Sequence, residues 1–199
     1  MPYGKALVDT VESSGNLAIT GNTSITGNVT VSGALTSSSS TINLGTAVST
    51  GSTNSVVLST TIPSWAKRIT VMVNGISATS AGGNFLVRLG SGGTTVSTGY
   101  SGIALSVSGS VTATGVITDG IFIGSSAATT TSYRGKMYID LMDSVNNVWQ
   151  GTSSGARSVD ANVMHFGFGQ IALSGVLNTV ELVVTAGNFD AGTVSISYE

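Results

Sequence analysis

The 199-residue chain reads as an all-β protein: a C-terminal jelly-roll-like antiparallel β-sandwich, preceded by a short hexad-repeat trimeric β stalk and an N-terminal docking strand. Three observations predict this. Glycine reaches 27 residues and charged residues only 8%, while 41% are hydrophobic, a balance too apolar for disorder and too poor in helix formers for a bundle. No segment carries a credible helical period; short alternating runs end instead at Gly, Asn, Asp or Ser. Residues 16–33 repeat a six-residue unit three times.

Taken in order, residues 1–14 form the first segment. Tyr3-Gly-Lys-Ala-Leu-Val-Asp-Thr-Val alternates enough for one strand, and Lys5, Asp9 and Glu12 are the only charges before Lys67. A short terminal strand of this kind suits docking onto another protein by strand addition, with Tyr3, Leu7, Val8 and Val11 as the contact residues. A loosely ordered terminus is the other fate open to it.

Residues 15–45 hold the repeat and a Ser/Thr-rich neck. The units are Asn16-Leu-Ala-Ile-Thr-Gly, Asn22-Thr-Ser-Ile-Thr-Gly and Asn28-Val-Thr-Val-Ser-Gly. Each is a very short strand closed by a Gly-Asn turn, so Ile19, Ile25 and Val31 form one column and Leu17, Thr23 and Val29 the next. One chain cannot bury these columns, because a repeat hides its apolar face only against further copies. Other chains can supply them. We therefore expect a homotrimeric stalk with Leu17, Ile19, Ile25, Val29 and Val31 in its core. The competing reading is a flexible Gly/Ser/Thr linker, against which the regular placing of Ile and Val argues. No charged side chain occurs between Ser13 and Ala66, and such a stretch would stick to other strands if it stood alone.

Residues 46–199 form the head. Strands are expected at Ser55–Thr60, Lys67–Asn74, Phe85–Gly90, Thr94–Thr98, Ile103–Val107, Val116–Ile123, Tyr133–Met142, Val145–Gln150, Asn162–Leu173, Thr179–Thr185 and Gly192–Tyr198, with turn residues between nearly all of them. Ile69, Val71 and Val73 share one face of their strand, and Val194, Ile196 and Tyr198 one face of the last. That alternation is the signature of two packed sheets.

The run Ile62-Pro-Ser-Trp-Ala-Lys-Arg-Ile-Thr-Val-Met-Val-Asn-Gly-Ile-Ser, the strand Phe85-Leu-Val-Arg-Leu-Gly and the ending Phe189-Asp-Ala-Gly-Thr-Val-Ser-Ile-Ser-Tyr-Glu together resemble the head domain of tailed-bacteriophage virion structural proteins of the tail-fibre or surface-spike type. The resemblance spans roughly residues 55–199, and the opening Tyr3-Gly to Val8-Asp-Thr-Val is similar to the start of such chains. It implies a trimeric β-sandwich on a virion surface. Read on its own physics, Pro63 stops a strand, Trp65 covers the end of the core, and Lys67 and Arg68 open an edge-proximal strand. Asp190 holds its own backbone in the turn that Gly192 releases into the last strand.

Catalytic chemistry finds few footholds. His165 is the only histidine, on the strand face opposite Phe166 and Phe168, and a lone imidazole in a strand is usually structural or on the surface. Asp140 and Asp143, three apart in a strand, point to opposite faces and make no ready acid–base pair or calcium loop. Gly90-Ser-Gly-Gly and Gly167-Phe-Gly lack the Lys-Ser/Thr and helix of a phosphate loop, and no Gly-x-Ser-x-Gly elbow accompanies the histidine. No cysteine is present, which removes thiolate chemistry. Seven Lys and Arg make no basic face for nucleic acid. No apolar run approaches the ~18 residues needed to cross a bilayer, and Met1–Thr20 lacks the pattern of a signal peptide.

What remains is a surface rich in hydroxyls and amides with a few aromatics, the vocabulary of carbohydrate contact, with Trp149, Tyr133 and Trp65 as candidate glycan residues. The expectation is a non-enzymatic virion structural protein without a cofactor or metal, made in the host cytoplasm. It forms a homotrimeric short tail fibre or surface spike that attaches through its N-terminus to the tail, baseplate or capsid and adheres to the host surface. The alternatives are a capsid decoration protein that clamps three-fold sites and a glycan-binding receptor module. Neither nucleic acid nor membrane insertion is expected.

Overall fold

The computed structural model describes residues 42–126, 131–158 and 163–199, with residues 110–114 described by backbone alone. The chain divides into two units, Met1–Ser39 and Ser40–Glu199, and every described residue belongs to the second. The docking residues Tyr3, Leu7, Val8 and Val11 and the stalk columns of Leu17, Ile19, Ile25, Val29 and Val31 lie outside the described residues.

The second unit is all-β, with no helix among the described residues. Its strands are β1 (Asn43–Leu44), β2 (Val48–Ser49), β3 (Ser55–Ser59), β4 (Arg68–Ala78), β5 (Asn84–Ser91), β6 (Thr94–Thr95) and β7 (Ser101–Ser108). They continue with β8 (Ser110–Ile117), β9 (Ile121–Ser125), β10 (Tyr133–Asp143), β11 (Val148–Arg157), β12 (Met164–Ala172), β13 (Thr179–Val184) and β14 (Phe189–Tyr198). A nine-stranded sheet runs β1-β14-β4-β10-β11-β12-β7-β8, with β2 also on β14. A five-stranded sheet runs β3-β13-β5-β6, with β9 also on β5. The two antiparallel sheets pack as a sandwich, as the alternation predicts.

The core between them follows from the period of two. Ile69 and Val71 of β4, Met137 and Ile139 of β10, and Val194 and Ile196 of β14 meet Phe85, Val87 and Leu89 of β5 and Val180 and Leu182 of β13. Phe85 stacks on Phe189 with ring centroids 5.7 Å apart. Each such side chain contributes about 1.5–3 kcal/mol by leaving water. In β4 the inward residues are odd-numbered up to Val73 and even at Ile76. The reset lies at Gly75, whose φ of 66° suits a bulge, and the pairing with β10 shifts at the same place, from Gly135↔Val73 to Tyr133↔Ile76.

Strands β5, β9 and β13 send buried residues to both faces. Leu86 of β5 and Phe122 of β9 turn away from the main core into a second cluster with Ala104, Ile117 and Val183. Strand β9 thereby becomes a wedge: its backbone pairs with β5, while Ile121 lies against Gly151 of β11 and Gly169 of β12.

Several sequence expectations need correction. Val116–Ile123 is not one strand: β8 ends at Ile117 in the large sheet and β9 begins at Ile121 in the small one. The chain crosses between sheets at Thr118-Asp119-Gly120, where Gly120 passes so close to Leu86 that a Cβ would stand 2.8 Å from it. The strand expected from Val145 starts at Val148, because the Asp143 carboxylate accepts hydrogen bonds from the backbone N–H groups of Val145 and Asn146 and shapes a turn. Strand β4 is interior, flanked by β14 and β10, rather than near an edge. Its Arg68 is held there by Asp140 at 2.6 Å and Glu199 at 3.2 Å. Ile62 and Ala66 are the residues of the Pro63 turn that enter the core; Trp65 is half exposed and packs on Tyr198 at 5.7 Å. Asp190 accepts a hydrogen bond from the Ser77 hydroxyl of the neighbouring strand rather than from its own turn.

Candidate functional site

The outward face of the large sheet is divided in two. On β7 and β12 the usual pattern of a sandwich strand is inverted. Strand β12 turns His165, Gly167, Gly169 and Ile171 inward and leaves Met164, Phe166, Phe168 and Gln170 exposed. Strand β7 turns Gly102 and Ala104 inward, with Ser106 on the same side, and its larger residues Ile103, Leu105 and Val107 face the other way. Small residues are required inside because the wedge strand β9 lies flat against this part of the sheet. A Cβ at Gly167 would meet the Phe122 carbonyl and stand 2.6 Å from the Ser153 hydroxyl, and one at Gly169 would stand 3.3 Å from Ile121.

The inversion leaves large apolar side chains outside, and register gathers them. Met164 stands opposite Val107, Phe166 opposite Leu105, and Phe168 opposite Ile103, which in turn faces Val116 of β8. Val116 is 74% exposed, Ile103 56% and Phe168 43%. Three strands about 4.8 Å apart over some seven residues at about 3.3 Å each give a flat footprint of roughly 300 Å². Covering it would be worth about 7 kcal/mol before the costs of association. No Asp, Glu, Lys or Arg occurs in β7, β8 or β12. The sheet also ends here: β8 is an edge without the Lys or Pro that would discourage pairing.

The other half, over β4, β10 and β14, carries charge and aromatics. Arg134, Lys136 and Tyr138 are exposed on one face of β10. The Lys136 ammonium lies 5.4 Å from the Tyr138 ring centre and donates to its hydroxyl at 3.3 Å; Arg134 Nε donates to Asn74 Oδ1 at 3.0 Å. Neither cation has a carboxylate partner among the described residues. Beside them runs a groove of about 240 Å³ lined by Thr70, Met72, Lys136, Tyr138, Ser197, Tyr198, Glu199 and Ile42.

Of the residues expected to contact glycan, only Trp65 is exposed, at 51%. Trp149 and Tyr133 are corrected to core residues, at 3% and 1% exposure, and a buried ring offers no face to a sugar. Trp149 stands opposite Leu141 and Ile171 in its neighbouring strands. The Tyr133 ring lies close against Gly124 and Gly135, and its hydroxyl donates to the Ile123 carbonyl. Burial pushes that phenol above its ordinary range. Tyr138, with Tyr198, is instead an aromatic ring that lines a groove.

His165 is fully buried, between the rings of Phe122 at 5.8 Å and Tyr133 at 5.7 Å. Burial, with a smaller push from Arg157, lowers its pKa to about 4. Its Nδ1 shares a hydrogen bond with the Ser106 hydroxyl at 3.0 Å, and Nε2 has no partner. With no carboxylate to orient the ring and no solvent at it, this Ser–His contact is a packing arrangement rather than a nucleophile and its base. Among the described residues no three His, Asp or Glu side chains gather as metal ligands, and no helix is long and apolar enough to cross a membrane.

A scan against protein-family models finds no match, and searches of curated proteins and of solved structures find none either.

Proposed function

We propose that this chain is a non-enzymatic structural protein of a bacteriophage virion, acting as a homotrimeric short tail fibre or surface spike with an adhesive head. The observation that carries the reading is the inverted pattern of β7 and β12, which presents Ile103, Phe166 and Phe168 to the outside while glycines line the inside. An apolar, uncharged face of this kind suits contact with another surface, and three copies can cover one another's. The N-terminal hexads call for the same solution, since Ile19, Ile25 and Val31 form a column that one chain cannot bury. The virion setting rests on the resemblance of residues 55–199 to phage head domains. The N-terminal segment then grips the tail, baseplate or capsid.

The test of the setting is made on particles. Virions lacking this chain should fail to adsorb to cells, and intact particles should carry it in few copies at the tail. Many copies over the head, with loss of heat resistance on deletion, would replace the spike with a capsid decoration protein. Absence from purified particles would end the virion reading altogether.

A further inference from the structure

We propose that the groove over β4, β10 and β14 binds an acidic saccharide, with the sugar ring against Tyr138 and its carboxylate on Lys136, while Arg134, two residues along β10 and outside the groove, adds to the positive field. This deepens the adhesive part of the reading above by naming the ligand class. It draws on the charged half of the sheet, away from the apolar half that carries assembly.

The argument starts from scarcity. Only 8% of this chain is charged, yet two exposed cations stand two residues apart on one face of β10 with no carboxylate partner among the described residues. The nearby acids are otherwise engaged: Asp140 and Glu199 both hold Arg68. The unanswered charge of this face is therefore positive, and the ligand that complements it is an anion. Beside the cations Tyr138 is 43% exposed in the middle of the sheet and lines the groove, an amphipathic ring within reach of a ligand there. Thr70 and Ser197 add hydroxyls. An aromatic face, hydroxyl partners and a cation in a groove of about 240 Å³ match a short polyhydroxylated ring bearing a carboxylate. Nucleic acid fits less well, because two cations neutralise too few phosphates along a strand.

The experiment is a calorimetric titration of the full chain with an alginate tetrasaccharide, which is a uronate, and with neutral cellotetraose. The uronate should bind at least about tenfold more tightly, and Lys136→Gln and Tyr138→Ala should each weaken it about tenfold. Arg88→Gln, which removes one positive charge from the small sheet, should leave the affinity unchanged. Equal binding of the two sugars, unchanged affinity in Lys136→Gln or Tyr138→Ala, or no heat with the uronate would each overturn the inference. Tighter binding of a poly-aspartate peptide than of the uronate would overturn it in favour of a protein ligand. Sedimentation of the same samples separates the two proposals: a trimer that ignores alginate sinks this one alone, whereas a monomer sinks the assembly reading.

Discussion

His165 and Tyr133 set the local energetics of the region where β9 is wedged. The imidazole is neutral in the fold and has a pKa of about 4, against 6.5 when exposed. As pH falls below 6.5 the unfolded chain takes up the proton first, so the stability that depends on neutral His165 is complete above 6.5 and lost down to about 4. The loss should approach about 1.4 kcal/mol per pH unit in that window. Urea midpoints at pH 7, 5.5 and 4.5 should fall in steps, and His165→Gln should flatten them; an unchanged slope in the variant would assign the acid sensitivity elsewhere. Tyr133→Phe removes the donor to the Ile123 carbonyl inside the core, and should cost about 1–2 kcal/mol in the same assay.

Strand β12 is where the sequence was hardest to read. Its alternation was plain, and His165 and Phe166 do take opposite faces, but the larger apolar face ordinarily turns inward and here turns out. The reason is non-local: Phe122 and Ile121 of β9 fill the space that inward side chains would need, and glycines make room. Only a reader who asked why Gly167 and Gly169 alternate with phenylalanines could have suspected it. Long strands such as β4, β10 and β14 were legible because period two and burial agreed in them. The first half of β8, Ser110-Val-Thr-Ala, was not, since so short a run carries no signal of its own and becomes a strand by pairing its backbone with β7. The buried fate of Trp149 and Tyr133 was equally hidden, because an aromatic in a strand is written the same way whether it faces core or water. Two substitutions separate the faces of β12. Gly167→Val forces a side chain into the Phe122 carbonyl and should destabilise the fold by about 3 kcal/mol or more, seen as a lowered Tm or insoluble protein. Phe166→Asp with Phe168→Asp, on the exposed side, should keep the circular dichroism of a folded sheet while weakening the proposed assembly.

At the scale of the whole molecule the account rests on incompleteness. The second unit has a well-filled sandwich of its own, so it can hold its shape, yet it offers water an uncharged face and an unguarded edge at β8. The hexad segment has the same need in its sequence. We propose that other copies of the chain meet both needs, and that within one sheet β7, β8 and β12 serve assembly while β4, β10 and β14 serve contact with what lies outside. The mass of the purified full-length chain at micromolar concentration, by sedimentation equilibrium, tests this most directly. The account predicts about three times the mass of one 19.9 kDa chain, and Phe166→Asp with Phe168→Asp should weaken the trimer so that it dissociates at higher protein concentration. A wild-type protein that is folded and monomeric under those conditions would contradict it.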